Sequence, residues 1–223
     1  MITTAMILAA GRGERLRPLT DSTPKPLIEV AGKHLIEYHI ENLARAGIKN
    51  IVINTSWLSE QIHQALGDGS NYGVTIQYSD EPEALETAGG IIKALPLLGE
   101  TFIVLNGDIW TDFDFSEWRD IDIETEAHLF LVNNPEHNPA GDFALKDGLL
   151  INSGPTMYTY SGIGIYTAAF FAGMQPGKVP LAPIIRQKNN TGLVSADLFQ
   201  GKWLDVGNIQ RLEQLREILD HRP

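Results

Sequence analysis

Short apolar runs alternate with amphipathic stretches through the first half of the chain. AMILA (5–9) is apolar throughout, the pattern of a strand buried on both faces. HLIEYHIENLARAG (34–47) places Leu35, Ile36, Ile40 and Leu43 at helical spacing, with Gly47 as its stop. NIVINTS (50–56), VTIQYS (74–79) and TFIVLNGD (101–108) read as strands, the last running into a Gly-Asp turn. WLSEQIHQAL (57–66) and ETAGGIIKALPLL (86–98) read as the helices between them. Such alternation with short connections predicts a mostly parallel sheet flanked by helices, with ligands beyond the carboxyl ends of its strands.

The second half is less regular. AHLFLVNN (127–134) and TYSGIGIYT (159–167) are strands, and Asp147-Gly148 between FAL and LLIN (143–152) signals a hairpin. The stretches at 181–190 and 208–219 are helical. No repeat or linker divides the chain. The expectation is one α/β domain over 1–223, with a nucleotide-binding part to about 110 and a sugar-binding part from about 111.

Composition narrows the function classes. A net charge of −11 argues against nucleic acid as the main partner. With no cysteine, disulfides, thiolate metal sites and cysteine nucleophiles are excluded. No apolar run is long enough to span a membrane, and the first strand lacks the flanks of a signal peptide. These features fit a cytoplasmic protein that does not act at a membrane. One local exception stands out. Arg12, Arg15, Arg17 and Lys25 fall within fourteen residues, four of 17 Lys and Arg in all. A compact cationic patch on an acidic chain points to a specific anion.

That patch lies in LAAGRGERLRPLTDSTPKPLIEV (8–30). A buried strand ends in Gly11-Arg12-Gly13, where absent side chains let backbone N–H groups approach a phosphate. Leu16 stands where a dinucleotide fingerprint requires its third glycine, and no Gly-Lys-Ser/Thr ending makes it a Walker loop. Pro24 and Pro26 stiffen the backbone on either side of Lys25, which suits a fixed charge on a phosphate under attack.

The pattern G-x-G-x-R-x-x-P-L-T followed by P-K-P resembles the signature of the sugar-phosphate nucleotidyltransferases, and ETAGG, LNGD, SGIGIY and WLDVGN extend the likeness along nearly the whole chain. The resemblance implies a Rossmann-like fold of the nucleotide-diphospho-sugar transferase type and Mg²⁺ held by Asp108 and Asp205. It implies Arg15 and Lys25 as catalytic cations, with Gly11, Arg12, Gly13, Thr23 and Lys25 on the nucleotide's phosphates. It also implies Glu81, Glu86, Thr87 and Gly90 around the base and ribose. Read from the residues alone, Thr87 is equally a helix N-cap, and Gly89 and Gly90 equally serve close helix packing. For the sugar 1-phosphate the candidates are Asn106, Gly141, Thr156, Gly162 and Trp203. The short length and NNPEHNPAGDFAL (133–145) are most similar to members acting in bacterial cell-wall recycling, which implies UTP and a cell-wall sugar 1-phosphate as partners. Larger relatives carry a C-terminal repeat domain that drives assembly, where this sequence has a single helix (208–220), so a monomer is expected.

One departure stands against the family pattern. Many members carry a Glu-Lys-Pro whose lysine grips the sugar phosphate, whereas INSGPTMYTYSGIG (151–164) holds no lysine. A second Mg²⁺ or Arg186 is left for that task. The residues also leave the base and sugar open: guanylyl transfer to mannose 1-phosphate and uridylyl or thymidylyl transfer to glucose 1-phosphate use the same chemistry. A non-catalytic nucleotide-sugar sensor is the reading of a different class. The histidines at 34, 39, 63, 128, 137 and 221 are expected to be structural or on the surface.

Overall fold

A computed structural model describes residues 1–220. The chain opens with β1 (Thr4–Leu8), a loop of short turns, and the two-residue strands β2 (Glu29–Val30) and β3 (Lys33–His34). Helix α1 (Leu35–Arg45), β4 (Asn50–Thr55), α2 (Ser59–Leu66), β5 (Thr75–Asp80), α3 (Glu86–Leu98) and β6 (Thr101–Asn106) complete the alternating half. There follow β7 (Ile109–Thr111), β8 (Ala127–Val132), β9 (Ala144–Lys146), β10 (Leu149–Ile151) and β11 (Thr159–Thr167). Helix α4 (Leu181–Asn189), β12 (Val194–Leu198), β13 (Trp203–Asp205) and α5 (Ile209–Asp220) close the described chain.

Nine strands form one sheet in the order β5-β4-β1-β6-β11-β8-β12-β10-β9. Strands β5, β4, β1 and β6 run parallel, and only β11 and β10 run against the common direction. The mostly parallel mixed sheet read from the sequence is thus the observed one. Its central strands are buried on both faces, which is why AMILA and its neighbours show no polar alternation. In β1, Ala5 and Ile7 join the core under α1 and α2, while Met6 joins the core under α3 and α4. Strand β6 divides the same way, Ile103 and Leu105 on one face, Phe102 and Val104 on the other. Each of these side chains larger than alanine contributes about 1.5–3 kcal/mol of burial.

Helix ends fall where the punctuation placed them. The amides of Gly47 and Ile48 bond to Ala44 O and Leu43 O, the crossed pair that closes a helix before a glycine. Asp147 and Gly148 form the turn between β9 and β10, both with positive φ (51° and 77°). Helix α2 begins at Ser59 rather than at Trp57, because the Trp57 indole donates to Thr20 O (3.1 Å) and packs over the loop after β1. Periodicity missed β2, β3, β7, β12 and β13, all of five residues or fewer.

Two features of the topology position the site. After β1 the chain passes to β4 and β5 on one side, then crosses to β6 on the other, so the carboxyl end of β1 lies at a switch point. Strand β13 returns from the far end of the sequence to pair antiparallel with β7, setting Asp205 opposite Ile109.

Candidate active site

The carboxyl ends of β1, β4, β5 and β6 open onto a crevice of about 540 Å³ lined by Leu8 to Gly11, Gly13, Arg15, Lys25, Asn54, Glu81, Glu86, Thr87, Asn106, Gly107, Asp108 and Gly207. Gly13 shows why the first loop needs glycine. Its φ is 69°, and a Cβ there would stand 2.9 Å from Thr20 Cγ2 and 3.2 Å from Lys25 Cβ. Thr20 Oγ1 donates to Gly13 O (2.8 Å), tying the loop to the turn that leads to Pro24-Lys25-Pro26. Lys25 is only 7% exposed, and its Nζ donates to Asp108 Oδ2 at 2.7 Å. A buried ammonium is held by a carboxylate at the crevice floor, as burial of a charge requires.

The first turn splits its cations. Arg15 lines the crevice, whereas Arg12 stacks its guanidinium on the Trp57 ring (3.8 Å to the centroid), outside the lining. Thr23 also lies outside it, its amide donating to Leu19 O (3.3 Å) in the turn ahead of Pro24.

On the side where the resemblance puts the base, Glu81 is buried and both its oxygens are occupied. Asn54 Nδ2 donates to Oε1 (2.7 Å) and the Leu85 amide to Oε2 (2.8 Å). Asn54 Oδ1 in turn accepts the Ala9 amide (2.8 Å), so one buried amide side chain joins the ends of β1, β4 and β5. Gly90 makes this joint fit, because a Cβ there would lie 2.7 Å from Glu81 Oε1 and 2.8 Å from Asn54 Nδ2. Gly89 likewise lets α3 approach Gly177 O closely. Close packing is therefore what both glycines do, and Gly90 is outside the crevice lining. Thr87 is no N-cap: Leu85 holds that position, and Glu86 and Thr87 face the crevice.

Among the candidates for the sugar, β11 bulges between Tyr160 and Ile163. Gly162 sits in the bulge with φ 81°, and its bare Cα receives the Asn106 amide, 2.6 Å from where a Cβ would be. Trp203 Nε1 donates to Ser161 O (2.8 Å), so Asn106, Gly162 and Trp203 converge on one bulge. Gly141 and Thr156 are not brought to the crevice. Gly141 packs on Tyr158 and Asn134, and Thr156 lies on the exposed loop before β11. Arg186, on α4, lies over the Phe143 ring (5.1 Å) and is not turned to the crevice either.

Asp108 and Asp205 become neighbours through the β7–β13 ribbon, where the Val206 amide also donates to Asp108 O (2.8 Å). Asp205 Oδ2 lies 3.3 Å from His137 Nε2 and 3.2 Å from Arg211 Nη1, and its Oδ1 is buried without a hydrogen-bond partner. A sequence model described as Nucleotidyl transferase matches residues 4–143, more than half of the chain. The chain belongs to this family.

This nucleotidyl transferase is 51% identical to the N-acetylmuramate alpha-1-phosphate uridylyltransferase of Neisseria meningitidis serogroup B, over 96% of its own length and 97% of the relative's. It is 33% identical to the protein of the same name from Caulobacter vibrioides, over 92% of both chains. In fold it superimposes on HddC from Yersinia pseudotuberculosis with a TM-score of 0.81 at 21% identity, covering 98% of this chain and 100% of that one. The fold class expected from the sequence is the one found.

The residues of the nucleotidyl transferase fit a magnesium ion. Among the described residues no three His, Cys, Asp or Glu side chains gather in a metal cage. Mg²⁺ does not need one, since it takes one or two carboxylates and completes its shell with water and substrate phosphates. The orphaned Oδ1 of Asp205, a residue paired across the ribbon with Ile109 next to Asp108, is a donor of that kind, although Asp205 lines the adjoining groove and not the crevice itself. No described helix is long and apolar enough to cross a membrane.

Sequence reasoning missed Asn54, His137, Gly207 and Arg211. Asn54 carried a signal, a polar residue at the carboxyl end of an apolar strand. Arg211 carried another, since it occupies the buried stripe of α5 with Leu212, Leu215 and Leu219. His137, expected to be structural or on the surface, reaches Asp205 from the Pro-rich loop. Of the other histidines, His34 caps α1, His39 is buried on Ile109 O (2.8 Å), His63 packs on Tyr78 and His128 bonds Ser195. His221 lies outside the described residues.

Proposed function

We propose that this protein transfers UMP from UTP to N-acetylmuramate 1-phosphate, releasing pyrophosphate and forming UDP-N-acetylmuramate. The observation that carries the reading is the Lys25–Asp108 pair at the floor of a glycine-loop crevice, in a chain 51% identical to a uridylyltransferase of that name over nearly its whole length. The segment to about residue 110 holds the nucleotide and the remainder the sugar. The enzyme acts as a monomer in the cytoplasm, in bacterial cell-wall recycling.

In this reading the amides of Gly11 and Gly13, with Arg15, hold the β- and γ-phosphates. Arg12 starts from its stack on Trp57 and joins them. Lys25 neutralises the α-phosphate while a phosphate oxygen of the sugar 1-phosphate attacks in line. The new P–O bond forms as the bond to the bridging oxygen of the β-phosphate breaks, and pyrophosphate leaves with that electron pair. The nucleophile is already ionised at neutral pH, so catalysis is positioning and charge stabilisation without a general base. Asp108 and Asp205 would hold Mg²⁺, which would supply charge neutralisation for the phosphates. Glu81 acts by fixing the base-side loop, because both its oxygens are already taken.

The test is pyrophosphate release by purified protein with Mg²⁺, crossing UTP, GTP, dTTP, CTP and ATP against N-acetylmuramate, glucose, N-acetylglucosamine and mannose 1-phosphates. Release confined to UTP with N-acetylmuramate 1-phosphate is expected. Release with another pair replaces the substrates. None from any pair, in folded protein, replaces the enzyme with a nucleotide-sugar sensor.

A further inference from the structure

We propose that Arg211 binds the phosphate of the sugar 1-phosphate, a task that no lysine of the 151–164 segment is there to perform. The inference rests on the sugar-phosphate reading above.

The observations begin with charge. Arg211 is 9% exposed, on the buried stripe of α5, and its guanidinium cannot shed its proton. A cation so buried requires partners. It has one carboxylate, Asp205, at 3.2 Å, while Nε and Nη1 make no hydrogen bond. The helix start does not need the side chain, because Asn208 Oδ1 already accepts the Arg211 amide (2.9 Å).

A second cation reaches the same place from the other end of the chain. A methyl group built on Gly207 would collide with Arg211 Nη2, and would stand 2.8 Å from Asp205 Oδ1 and 3.1 Å from Arg15 Nη2. Two guanidinium groups and one carboxylate thus converge on a bare Cα. Nearby, the Lys25 charge is matched by Asp108, so of the groups that meet at Gly207 two guanidinium charges face the single carboxylate of Asp205. His137, which also touches Asp205, adds no negative charge. An anion with several acceptor oxygens completes such a set, and a phosphate suits the guanidinium fork.

Position gives the direction of the substrate. Gly207 lines the nucleotide crevice, while Arg211, Trp203 and His137 line an adjoining groove of about 860 Å³. Arg211 therefore stands at the partition, where a sugar 1-phosphate presents its phosphate to the nucleotide and its ring to the Trp203 side. With that phosphate as its counter-charge, Arg211 would no longer depend on Asp205 alone.

The test compares Arg211→Gln and Arg211→Lys with the wild type, using N-acetylmuramate and N-acetylglucosamine 1-phosphates at saturating UTP, and varying UTP and Mg²⁺ separately. Binding of each sugar phosphate is also measured calorimetrically. Arg211→Gln is expected to raise the KM and the Kd for both sugar phosphates about 10- to 100-fold, the contribution of one charged hydrogen-bonding partner. The KM for UTP and the Mg²⁺ requirement should stay within about twofold, and Arg211→Lys should fall between, since it keeps charge and loses the fork. If only the Mg²⁺ requirement rises, Arg211 merely positions Asp205 and the proposal fails. It also fails if the loss is confined to N-acetylmuramate 1-phosphate, which would place the sugar's carboxylate on Arg211, or if neither sugar phosphate is affected. Should Arg211→Gln not fold, Arg211→Lys decides by the same criteria. Wild-type protein that binds sugar phosphates through Arg211 but releases no pyrophosphate would overturn the uridylyltransferase reading and leave this one standing.

Discussion

Lys25 and Asp108, 83 residues apart in sequence, meet at 2.7 Å with the lysine buried and the aspartate open to the crevice. The pair fixes the position of a charge at the crevice, which the proposed mechanism sets against the α-phosphate. Lys25→Ala should lower kcat about 100- to 1000-fold, the usual effect of losing a preorganised charge. Because Asp108 stays solvated, the melting temperature should change little. Near-normal turnover in folded Lys25→Ala protein would remove the lysine from the mechanism.

Asn54 holds the Ala9 amide and Glu81 together in the interior. Replacing it with Ala orphans both groups, at about 1–3 kcal/mol each. Urea unfolding should show the loss, and the KM for UTP should rise because the loops after β1 and β5 lose their common anchor. Asn54→Asp keeps the acceptor for Ala9 but sets a second carboxylate beside Glu81. Its stability should therefore fall further as pH rises, the reverse of the Ala variant's flat profile.

Gly162 combines a left-handed φ of 81° with an Asn106 amide lodged against its Cα. Gly162→Ala should cost about 1–2 kcal/mol of backbone strain and displace Asn106. Kinetically, the KM for the sugar 1-phosphate should rise with little change for UTP. An unaltered sugar KM would mean that the bulge does not shape the sugar site.

Burial lowers His39 to about 4, against an ordinary 6.5, although the hydrogen bond from its Nε2–H to Ile109 O and the Asp108 charge both act the other way. As pH falls, the unfolded chain takes up this proton before the folded one. Stability is therefore full above about pH 6.5 and declines toward pH 4, by at most about 3 kcal/mol from this residue. His128, also lowered by burial but opposed by Asp197, contributes in the same direction. Chemical unfolding of His39→Gln across this range should show a shallower decline than the wild type; an equal slope would assign the acid sensitivity elsewhere.

The sequence was readable wherever one element carried its own pattern. The long buried strands and amphipathic helices announced themselves by periodicity, and the residues around Lys25 by glycine and proline placement. What escaped was made by pairing at a distance. A three-residue strand such as β13 has no period to detect, and its meaning lies in β7, on which it is laid. Glu81 and Gly90 illustrate the other limit. Both belong to the base-side segment, yet only the coordinates show that Asn54 engages one and needs the room left by the other. Arg211 was visible as a cation on a leucine stripe, but the Gly207 gap that gives it a neighbour is purely spatial.

The β7–β13 ribbon also bears on how the protein comes into being. A chain growing from its N-terminus can set Lys25 on Asp108 once the first half has emerged, but Asp205 and Arg211 arrive about a hundred residues later. Until the final strand is threaded back beside β7, the nascent protein has half of its carboxylate pair and a crevice without its far wall. Translation itself thus sets the order of assembly. A fragment stopped before Trp203 would lack Asp205 and also Val206, Leu212, Leu215 and Leu219, against which Leu16, Ile28 and Val30 of the first loop pack, so the last segment made is the one that seats the first loop.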